Sequence, residues 1–494
     1  MDLLIQAATQ VATPLTLLCI VLGTAFGVVV GVLPGLGSVI GLTMVLPFTF
    51  GLPQVPAIAL MLGVYCGSVY GGSITATILN TPGTPQSAAT ALEGFPMAMR
   101  GEASRAIGWI TMASMIGGLF SVTVLIIVGP ALARFSLMFT PIEYFALGLF
   151  ALTCIAGVSA GALAKGLMGG ALGVLLATIG SDPVTGTLRF TFDSFMLTAG
   201  IGLIPVVVGL FAFSEMFLRI LKLDEPGMDR TTMKVGFSLP PWSEWRSRIG
   251  MLVRGSLIGS FVGALPGTGA ATASFIAYSE ARRTSKRQEN FGKGEPDGIV
   301  ACESANNAVT GSALVPTLSL GIPGDPVTAV MLGALVIQGI APGPQLFVNH
   351  MDIVYALFMA LILVNLVMFG VGALGASVFT RILRVPEPIL IGLIMIISTL
   401  GAYGVSGSTF DVWIAFGAGV LGALLRYFAF PVAPVVIGLV LGPMLELSLR
   451  QGLILTRGSF LAFLERPIAL VLFIITALVL LWPMIRWLRS RRRA

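Results

Sequence analysis

Long apolar runs constrain this chain more than any other feature of its sequence. Runs long enough to span a bilayer recur along its 494 residues, for example Ile107–Leu132, Ile353–Leu374 and Ile468–Trp487. The chain is 56% hydrophobic and only 10% charged, whereas a soluble protein carries about a quarter charged residues. The sequence therefore predicts an all-α polytopic membrane protein. The first ten residues show no secretory leader pattern, so we expect them to belong to the mature chain.

Two of the apolar segments are interrupted by a proline-glycine break. The segment Gly72–Met97 breaks at Asn80-Thr-Pro-Gly-Thr-Pro85, and a second break has the sequence Gly321-Ile-Pro-Gly-Asp-Pro326. Proline lacks the N–H group and clashes with the preceding turn, so each break ends a helix. In a membrane, an unwound segment is tolerated where protein, water or a ligand satisfies its backbone. Paired broken helices are typical of the binding site of a secondary transporter.

Four motifs recur in the same order in the second half of the chain. They are Gly31–Gly37 and Gly263–Gly269 at an offset of 232 residues, Pro82–Pro85 and Pro323–Pro326 at 241, Glu143–Gly148 and Glu387–Gly392 at 244, and Pro205–Gly209 and Pro434–Gly438 at 229. The conserved order predicts two copies of one unit. The copies would be residues 11–220 and 249–450, joined by a linker of residues 221–248, with a last helix over 466–487 outside the repeat.

The charges of equivalent loops predict that the two copies have inverted topology. Lysine and arginine accumulate in cytoplasmic loops. Loop 97–106 carries two arginines and its counterpart 338–346 has no basic residue, whereas loop 281–298 carries five basic residues and its counterpart 50–56 has none. With the linker inside, 23 basic residues lie inside and five outside. This places the N-terminus in the periplasm and the C-terminus in the cytoplasm.

The Leu-Pro-Gly turns inside the first recurring motif are compatible with two structures. Residues 249–280 would begin and end inside, which fits a re-entrant hairpin with the turn at its tip, and residues 12–49 would mirror it from outside. Alternatively, each segment is one long crossing with a kink.

The breaks and the Leu-Pro-Gly turns supply the predicted site. Unwound carbonyl groups suit a cation such as Na⁺, and the N-terminus of the following half-helix offers N–H groups to an anion. The predicted substrate-binding residues are Asn80, Thr81, Pro82, Gly83, Thr84, Gln86, Gly321, Pro323, Gly324 and Thr328. The predicted ion-coupling residues are Pro34, Gly35, Gly37, Gly267, Thr268, Gly269, Glu303, Asn306, Asn307 and Asp325. The alternative is that the prolines only kink helices and the hydroxyl groups bond within their own helix.

Two carboxyl groups are candidates for ion coupling. The second break places Asp325 deep in the membrane, whereas its counterpart Thr84 is neutral, so the two half-sites should differ. Glu303 shares a helix face with Asn306 and Asn307. A carboxylate in a membrane segment is costly unless it is paired or functional. Glu303 therefore either couples an ion or proton, or caps a helix near the cytoplasmic surface.

Other residues point away from catalysis. Cys19, Cys66, Cys154 and Cys302 lack metal-ligand spacing, and the sole histidine, His350, lies in a predicted external loop. The first-turn positions of Glu143 and Glu387 are explained by helix capping. The sequence contains no phosphate-binding loop. We expect no enzyme, no nucleic-acid partner, and no cofactor other than Na⁺ or H⁺ as coupling ion.

Together these motifs resemble the large membrane subunit of the tripartite tricarboxylate transporter family. The matching motifs are GVLPGLG, GGSITATILNTPGTPQSAATALEGFPM, GALPGTG, ACESANNA and SLGIPGDPVTAV, and the resemblance extends from about residue 11 to residue 460. It implies a site at Pro34, Gly35, Gly37, Asn80 to Thr84, Gly267 to Gly269 and Gly321 to Asp325.

The resemblance also implies a division of labour. It predicts a permease of the bacterial inner membrane, driven by an ion gradient, that works with a small membrane subunit and receives its substrate from a periplasmic solute-binding protein. The family's substrates are carboxylates: citrate-like tricarboxylates, dicarboxylates such as tartrate, and aromatic acids. We expect transport by alternating access and allow for a homodimer. The alternative is an anion channel with paired re-entrant loops.

Overall fold

The structure, a computed structural model, describes residues 2–158, 163–221, 235–267, 269–382 and 385–491. The helices are α1 (Asp2–Val11), α2 (Pro14–Val32), α3 (Gly37–Thr49), α4 (Gln54–Leu79), α5 (Ala88–Met97), α6 (Ala103–Ser136), α7 (Pro141–Val158), α8 (Leu163–Ala177), α9 (Leu203–Val207), α10 (Ser214–Ile220), α11 (Trp242–Arg246), α12 (Ile249–Ala264), α13 (Gly269–Thr284), α14 (Pro296–Ser312), α15 (Leu314–Leu320), α16 (Pro326–Ile337), α17 (Leu346–Asn349), α18 (Met351–Ile382), α19 (Glu387–Ser406), α20 (Thr409–Tyr427), α21 (Ala433–Leu455) and α22 (Pro467–Arg491). Short 3₁₀ or π-helical segments cover Pro85–Ser87, Ala98–Glu102, Phe195–Leu197, Val208–Phe213, Gln288–Asn290 and Leu461–Phe463. The strands β1 (Gly180–Ser181) and β2 (Leu188–Arg189) form one antiparallel hairpin.

The helix composition confirms the predicted fold class. Eight helical stretches of the described chain are long and apolar enough to cross a membrane. Within each helix the backbone N–H and C=O groups bond to one another, as a membrane-spanning segment requires. The chain is therefore an all-α polytopic membrane protein.

The helices group into two compact units. Unit 1 comprises residues 1–133 and 218–405, and unit 2 comprises residues 134–217 and 406–494. Each unit therefore combines segments from both of the predicted repeats, 11–220 and 249–450. The repeat boundaries themselves stay a prediction.

Unit 1 is organised around α4 and α14, which are buried along most of their length. Every residue of α14 from Asp297 to Ser312 is buried, although this helix carries a glutamate and two asparagines. Burying such groups is costly unless they are hydrogen-bonded or bind a ligand. The buried polar side chains of α14 therefore indicate a candidate site at the centre of unit 1.

Glycines let α2 and α12 approach these two central helices. A Cβ atom at Gly27 would collide with the backbone of Val64, and one at Gly259 would collide with the backbone of Ala305. The other colliding pairs are Gly23 with Leu60, Gly31 with Ser68, Gly255 with Ala301, and Gly263 with Val309. Small residues permit such close helix packing in membranes. Each contact of α2 thus has a counterpart in α12. The two equivalent glycines are 232 residues apart and the residues they contact are 241 apart, which are the offsets of the first two sequence motifs.

The second Leu-Pro-Gly turn is the tip of a helical hairpin. Val262 of α12 packs with Ala270 of α13 beside the turn, and the Thr284 hydroxyl at the far end of α13 lies 4.0 Å from the Met251 sulfur near the start of α12. The two helices are thus antiparallel, and the alternative of a single kinked helix is wrong here. The chain also reverses at the first turn, where Val30 lies against Gly41.

The described part of the predicted linker packs against unit 1. Trp245 lies against Trp109 of α6, with ring centroids 4.4 Å apart. Arg248 is buried and its guanidinium lies 2.9 Å from the Asp297 carboxylate and 3.3 Å from that of Glu295. Residues 235–248 are therefore a fixed element beside the start of α14. Residues 222–234 of the predicted linker lie outside the described residues.

Unit 2 packs α21 along α8, and α20 along the stretch from Leu203 to Phe213. Glycines again allow the helices to pack closely. A Cβ atom at Gly438 would collide with the backbone of Gly170, and one at Gly209 with that of Ala415. The loop after α8 carries an ion-pair network in which Arg450 lies 2.7 Å from Asp182. The backbone N–H groups of Thr185 and Val184, together with Arg450, hold the pKa of the Asp182 carboxyl well below its usual range.

Candidate functional site

Both proline-glycine breaks form where the sequence predicts them, and both have the same backbone design. The helix α4 ends at Asn80 in the left-handed conformation, with φ of 54°, and α15 ends at Gly321 with φ of 71°. Each is followed by Pro-Gly and then by a proline at the first position of the next helical segment. Left-handed C-caps and first-turn prolines are the ordinary end and start signals of helices.

The second break is closed by protein groups. Asp325 is the N-cap of α16: its carboxylate accepts from the Thr328 N–H at 2.7 Å and its own N–H donates to the Thr328 hydroxyl, which is a capping box. The Tyr65 hydroxyl of α4 donates to the other carboxylate oxygen at 2.6 Å. Asp325 is only 2% exposed. The carboxylate thus satisfies the N-terminus of α16 from within the chain.

The first break is more open and lacks a charged cap. Thr84 occupies the position equivalent to Asp325, and its hydroxyl bonds weakly to the Ser87 hydroxyl at 3.4 Å. Neither the segment Pro85–Ser87 nor α5 receives a side-chain cap. Asn80 and Pro85 are exposed. The expected difference between the two half-sites is present in this geometry.

Each Leu-Pro-Gly turn lies against the break of its own half. The Gly267 N–H donates to the Gly324 carbonyl at 2.7 Å, and a Cβ atom at Gly83 would collide with the Gly31 carbonyl. Gly35, Gly37, Gly267 and Gly269 all have positive φ. The Pro34 carbonyl accepts from Arg219. Thr268, a predicted ion-coupling residue, lies outside the described residues.

Helices of the opposite half complete the surroundings of each break. The helix α13 contacts Pro85–Ser87, and α3 contacts α16. The two breaks and the two turns thus belong to one assembly inside unit 1. The grouping that the sequence predicts is present for the described residues, while the roles assigned to them stay predictions.

Glu303 lies at the centre of unit 1 and not at its surface. Its carboxylate accepts from the Thr90 hydroxyl of α5 and from the Ser114 hydroxyl of α6, the latter at 2.8 Å, and it is 0% exposed. The N-cap of α14 is Glu295, so the alternative that Glu303 caps this helix is wrong. Among the described residues, no ion pair involves Glu303 or Asp325. Buried charges in proteins are usually paired or bound to a cation, so these two carboxyl groups are candidates for binding a proton or a cation.

The neighbouring asparagines retain unused hydrogen-bonding groups. The Asn307 amide nitrogen donates to the Glu303 carbonyl at 3.3 Å, but its Oδ1 atom has no partner. Asn306 is 0% exposed, and neither its Nδ2 nor its Oδ1 atom has a partner among the residues that the structure describes. The Gln86 Oε1 atom beside the first break is in the same state. Buried polar groups in proteins are nearly always paired, so these atoms indicate a place for a polar ligand.

Sequence reasoning missed two residues that contact the predicted site or the helices around it. Tyr65, which holds Asp325, lies in an apolar run where a tyrosine reads as a core residue. Glu93 is 0% exposed and accepts from the N–H groups of Gly292 and Gly294 and from the Tyr278 hydroxyl at 2.8 Å or less. Glu93 lies in α5, the helix that directly follows the first break, and no local motif indicates that it supports a loop about 200 residues away.

Comparison with known proteins identifies the family. The family model described as "Tripartite tricarboxylate transporter TctA family" matches residues 17–437. A 52.8 kDa Agrobacterium vitis protein, named only by its position 3′ of ttuC′ in the TAR-I region, is 35% identical over 485 residues, which is 97% of this chain and 95% of that protein. A second A. vitis protein, from the corresponding TAR-II region, is 34% identical over 234 residues, 47% of this chain and 97% of its own length. No solved structure matches. The chain therefore belongs to the tripartite tricarboxylate transporter TctA family and is a membrane component of a transporter, not an enzyme.

Proposed function

We propose that this chain is the permease of an ion-gradient-driven uptake system for small carboxylates in the bacterial inner membrane. The observation that carries the proposal is the coincidence, within unit 1, of two broken helices and two buried carboxyl groups that form no ion pair with any described residue. Broken helices supply backbone groups for substrate and ion. A buried carboxyl that must be neutralised supplies coupling, because binding a cation or proton removes its charge.

The coupling residues in this proposal are Asp325 and Glu303, with Asn306, Asn307 and the two Leu-Pro-Gly turns around them. The substrate residues lie at the breaks from Asn80 to Gln86 and from Gly321 to Thr328. Na⁺ and H⁺ are both suited to the carboxyl groups. Substrate and ion would then stabilise one conformation together, which couples their movement.

Transport would proceed by alternating access, in which the unit that holds both breaks exposes them to one side of the membrane and then to the other. The recurrence of the glycine contacts at offsets of 232 and 241 residues supports an internal repeat. The loop charges support its inversion, with the N-terminus in the periplasm and the C-terminus in the cytoplasm.

The proposed partners follow from the tripartite family. They are a small membrane subunit and a periplasmic solute-binding protein that delivers the carboxylate. A homodimer of this chain is compatible with the proposal. Citrate-like tricarboxylates, dicarboxylates and aromatic acids are the substrates to be compared.

Uptake into proteoliposomes tests the proposal. Vesicles would contain this chain and its small partner, with binding protein and labelled citrate, tartrate or benzoate outside. We expect one acid to accumulate above its outside concentration when an inward Na⁺ or H⁺ gradient is imposed. Equilibration without accumulation under either gradient would contradict coupled transport and favour an anion channel.

A further inference from the structure

The two breaks are equivalent in backbone but differ in what fills them. Residues 241 positions apart occupy the same places: Thr84 corresponds to Asp325 and Ser87 to Thr328. The Ser87 hydroxyl donates to the Thr84 carbonyl at 2.8 Å, just as the Thr328 hydroxyl donates to the Asp325 carbonyl at 2.9 Å. The only charged group in this arrangement is the Asp325 carboxylate. The first break has the same frame without that carboxylate.

The residue that recognises the Asp325 carboxylate also has a counterpart. Tyr65 donates its hydroxyl proton to Asp325 at 2.6 Å, and the position 241 residues after Tyr65 is Asn306. Both side chains are buried, at 1% and 0% exposure. Tyr65 has its partner, whereas neither polar atom of Asn306 has one within the described part of the chain. Asn306 thus offers an amide donor without an acceptor among the described residues. It occupies the position equivalent to Tyr65, which in the other half donates to the Asp325 carboxylate.

Packing places Asn306 beside the first break. Its helix α14 contacts Pro85–Ser87 and α5. Cys302, one turn earlier on the same face, lies 3.5 Å from the Thr90 hydroxyl of α5, and Val309, one turn later, packs with Ala270 and Ala273 of α13. The helix α13 itself contacts Pro85–Ser87. Asn306 therefore lies between the two helices that border this break.

We infer that the first break binds a carboxylate group of the transported acid, in the place that the Asp325 carboxylate fills in the second break, with Asn306 as its side-chain donor. The inference rests on the proposed function and narrows it. The N-terminus of the helical segment that runs from Pro85 into α5, which no side chain caps, adds positive dipole. The unpartnered oxygens of Asn306 and Gln86 are left to a hydroxyl group of the acid or to a co-bound cation. The second break, closed by its own carboxylate, takes no substrate carboxylate.

The inference predicts what a carboxylate built into the first break would do. Thr84→Asp would place the protein's own carboxylate there and convert the break into a copy of the second one. The substrate carboxylate would then be excluded by occupancy and by like charge. Thr84→Asn has a similar size and leaves out the charge, so it is the matched control. Asn306→Ala removes the donor, and Tyr65→Phe removes the equivalent donor from the other break.

Equilibrium binding tests the inference independently of transport. The full chain, purified with its small membrane partner, would be titrated with labelled citrate, tartrate and benzoate, and uptake of the acid that binds would be measured in the same preparation. We expect Asn306→Ala to weaken binding by about ten-fold or more, as loss of a hydrogen bond to a charged group implies, and by more than Tyr65→Phe does. Thr84→Asp should abolish binding while Thr84→Asn retains it. Melting temperatures near that of the unaltered protein would show that the variants are folded.

The outcomes separate the inference from the proposed function. Binding that is unchanged in Asn306→Ala and in folded Thr84→Asp would overturn the inference, and gradient-driven accumulation by the same preparation would leave coupled transport standing. Binding that is lost in these variants, together with no accumulation by the unaltered protein under any gradient, would support the inference and contradict coupled transport. Equal loss in Tyr65→Phe and Asn306→Ala would also overturn it, because both breaks would then contribute alike.

Discussion

Glu303 and Glu93 are both fully buried glutamates in unit 1, and they accept hydrogen bonds from different kinds of donor. Glu93 accepts from backbone N–H groups of the loop before α14, including that of Gly294 at 2.8 Å. Glu303 accepts only from hydroxyl groups among its described contacts, Thr90 and Ser114. Glu93 therefore holds this loop in place, whereas the hydroxyl groups around Glu303 can donate to a carboxylate or accept from a carboxylic acid. We propose that Glu303 binds and releases a cation or proton.

We predict that Glu303→Gln uncouples transport. The variant should still exchange labelled for unlabelled acid across the vesicle membrane. It should lose accumulation against a gradient, because the glutamine amide has no negative charge for a proton or cation to neutralise. Glu93→Gln is the matched control: it should lower the melting temperature, since several N–H bonds to a carboxylate weaken together. Accumulation by Glu303→Gln equal to that of the unaltered chain would remove Glu303 from the coupling site.

Asp325 allows the charge of a carboxyl to be separated from its capping role. Asparagine is as good an N-cap as aspartate, so Asp325→Asn should keep α16 capped while it loses the charge and the oxygen that accepts from the Tyr65 hydroxyl. We predict that the ion dependence of uptake weakens while the melting temperature changes little. Asp325→Ala should in addition destabilise the protein by about 1 kcal/mol. An unaltered ion dependence in Asp325→Asn would show that Asp325 is a structural cap alone.

At the scale of elements, each break contains a glycine that lies too close to another backbone segment for a residue with a Cβ atom. Gly83 lies against the Gly31 carbonyl, where a Cβ atom has no room. Gly324 is similar, with the Ala313 carbonyl 2.7 Å from the place of a Cβ atom. The first contact joins its break to α2, the helix before the first Leu-Pro-Gly turn, and the second joins its break to the junction between α14 and α15.

We therefore predict that Gly83→Ala abolishes uptake and lowers the melting temperature, because the break must move away from α2. Gly392→Ala is the control. It lies within α19, nothing lies within 4 Å of its added Cβ atom, and alanine favours helix by about 1 kcal/mol over glycine. Uptake and stability should be retained there. Normal uptake by Gly83→Ala would show that the close approach to Gly31 is dispensable.

The sequence is informative about the breaks and less so about what faces them. Proline and glycine act locally, so the ends of α4 at Asn80 and of α15 at Gly321 can be read from the chain. Tyr65 and Glu93 depend on contacts with residues about 260 and 200 positions away, and nothing beside them in sequence indicates such partners. The depth of Glu303 was open for the same reason: burial of α14 is decided by the helices packed around it.

At the scale of the whole molecule, the inverted repeat predicts which loops face each side of the membrane. Single cysteines at Lys286 and at Gly51, in a chain whose four native cysteines are replaced, should react with a membrane-impermeant maleimide from opposite sides. We expect Lys286→Cys to be labelled from the cytoplasmic side and Gly51→Cys from the periplasmic side. Labelling of both from one side would contradict the inversion and with it the predicted orientation of the termini.

The most direct measurement is protection of the first break by substrate. Gln86 is partly exposed there, so a single Gln86→Cys in the cysteine-replaced chain should react with an impermeant thiol reagent. The account predicts that the transported acid slows this reaction, and that the coupling ion changes the side of the membrane from which the reagent enters. Labelling from one side only, at a rate that neither acid nor ion alters, would contradict a substrate site at the first break and alternating access to it.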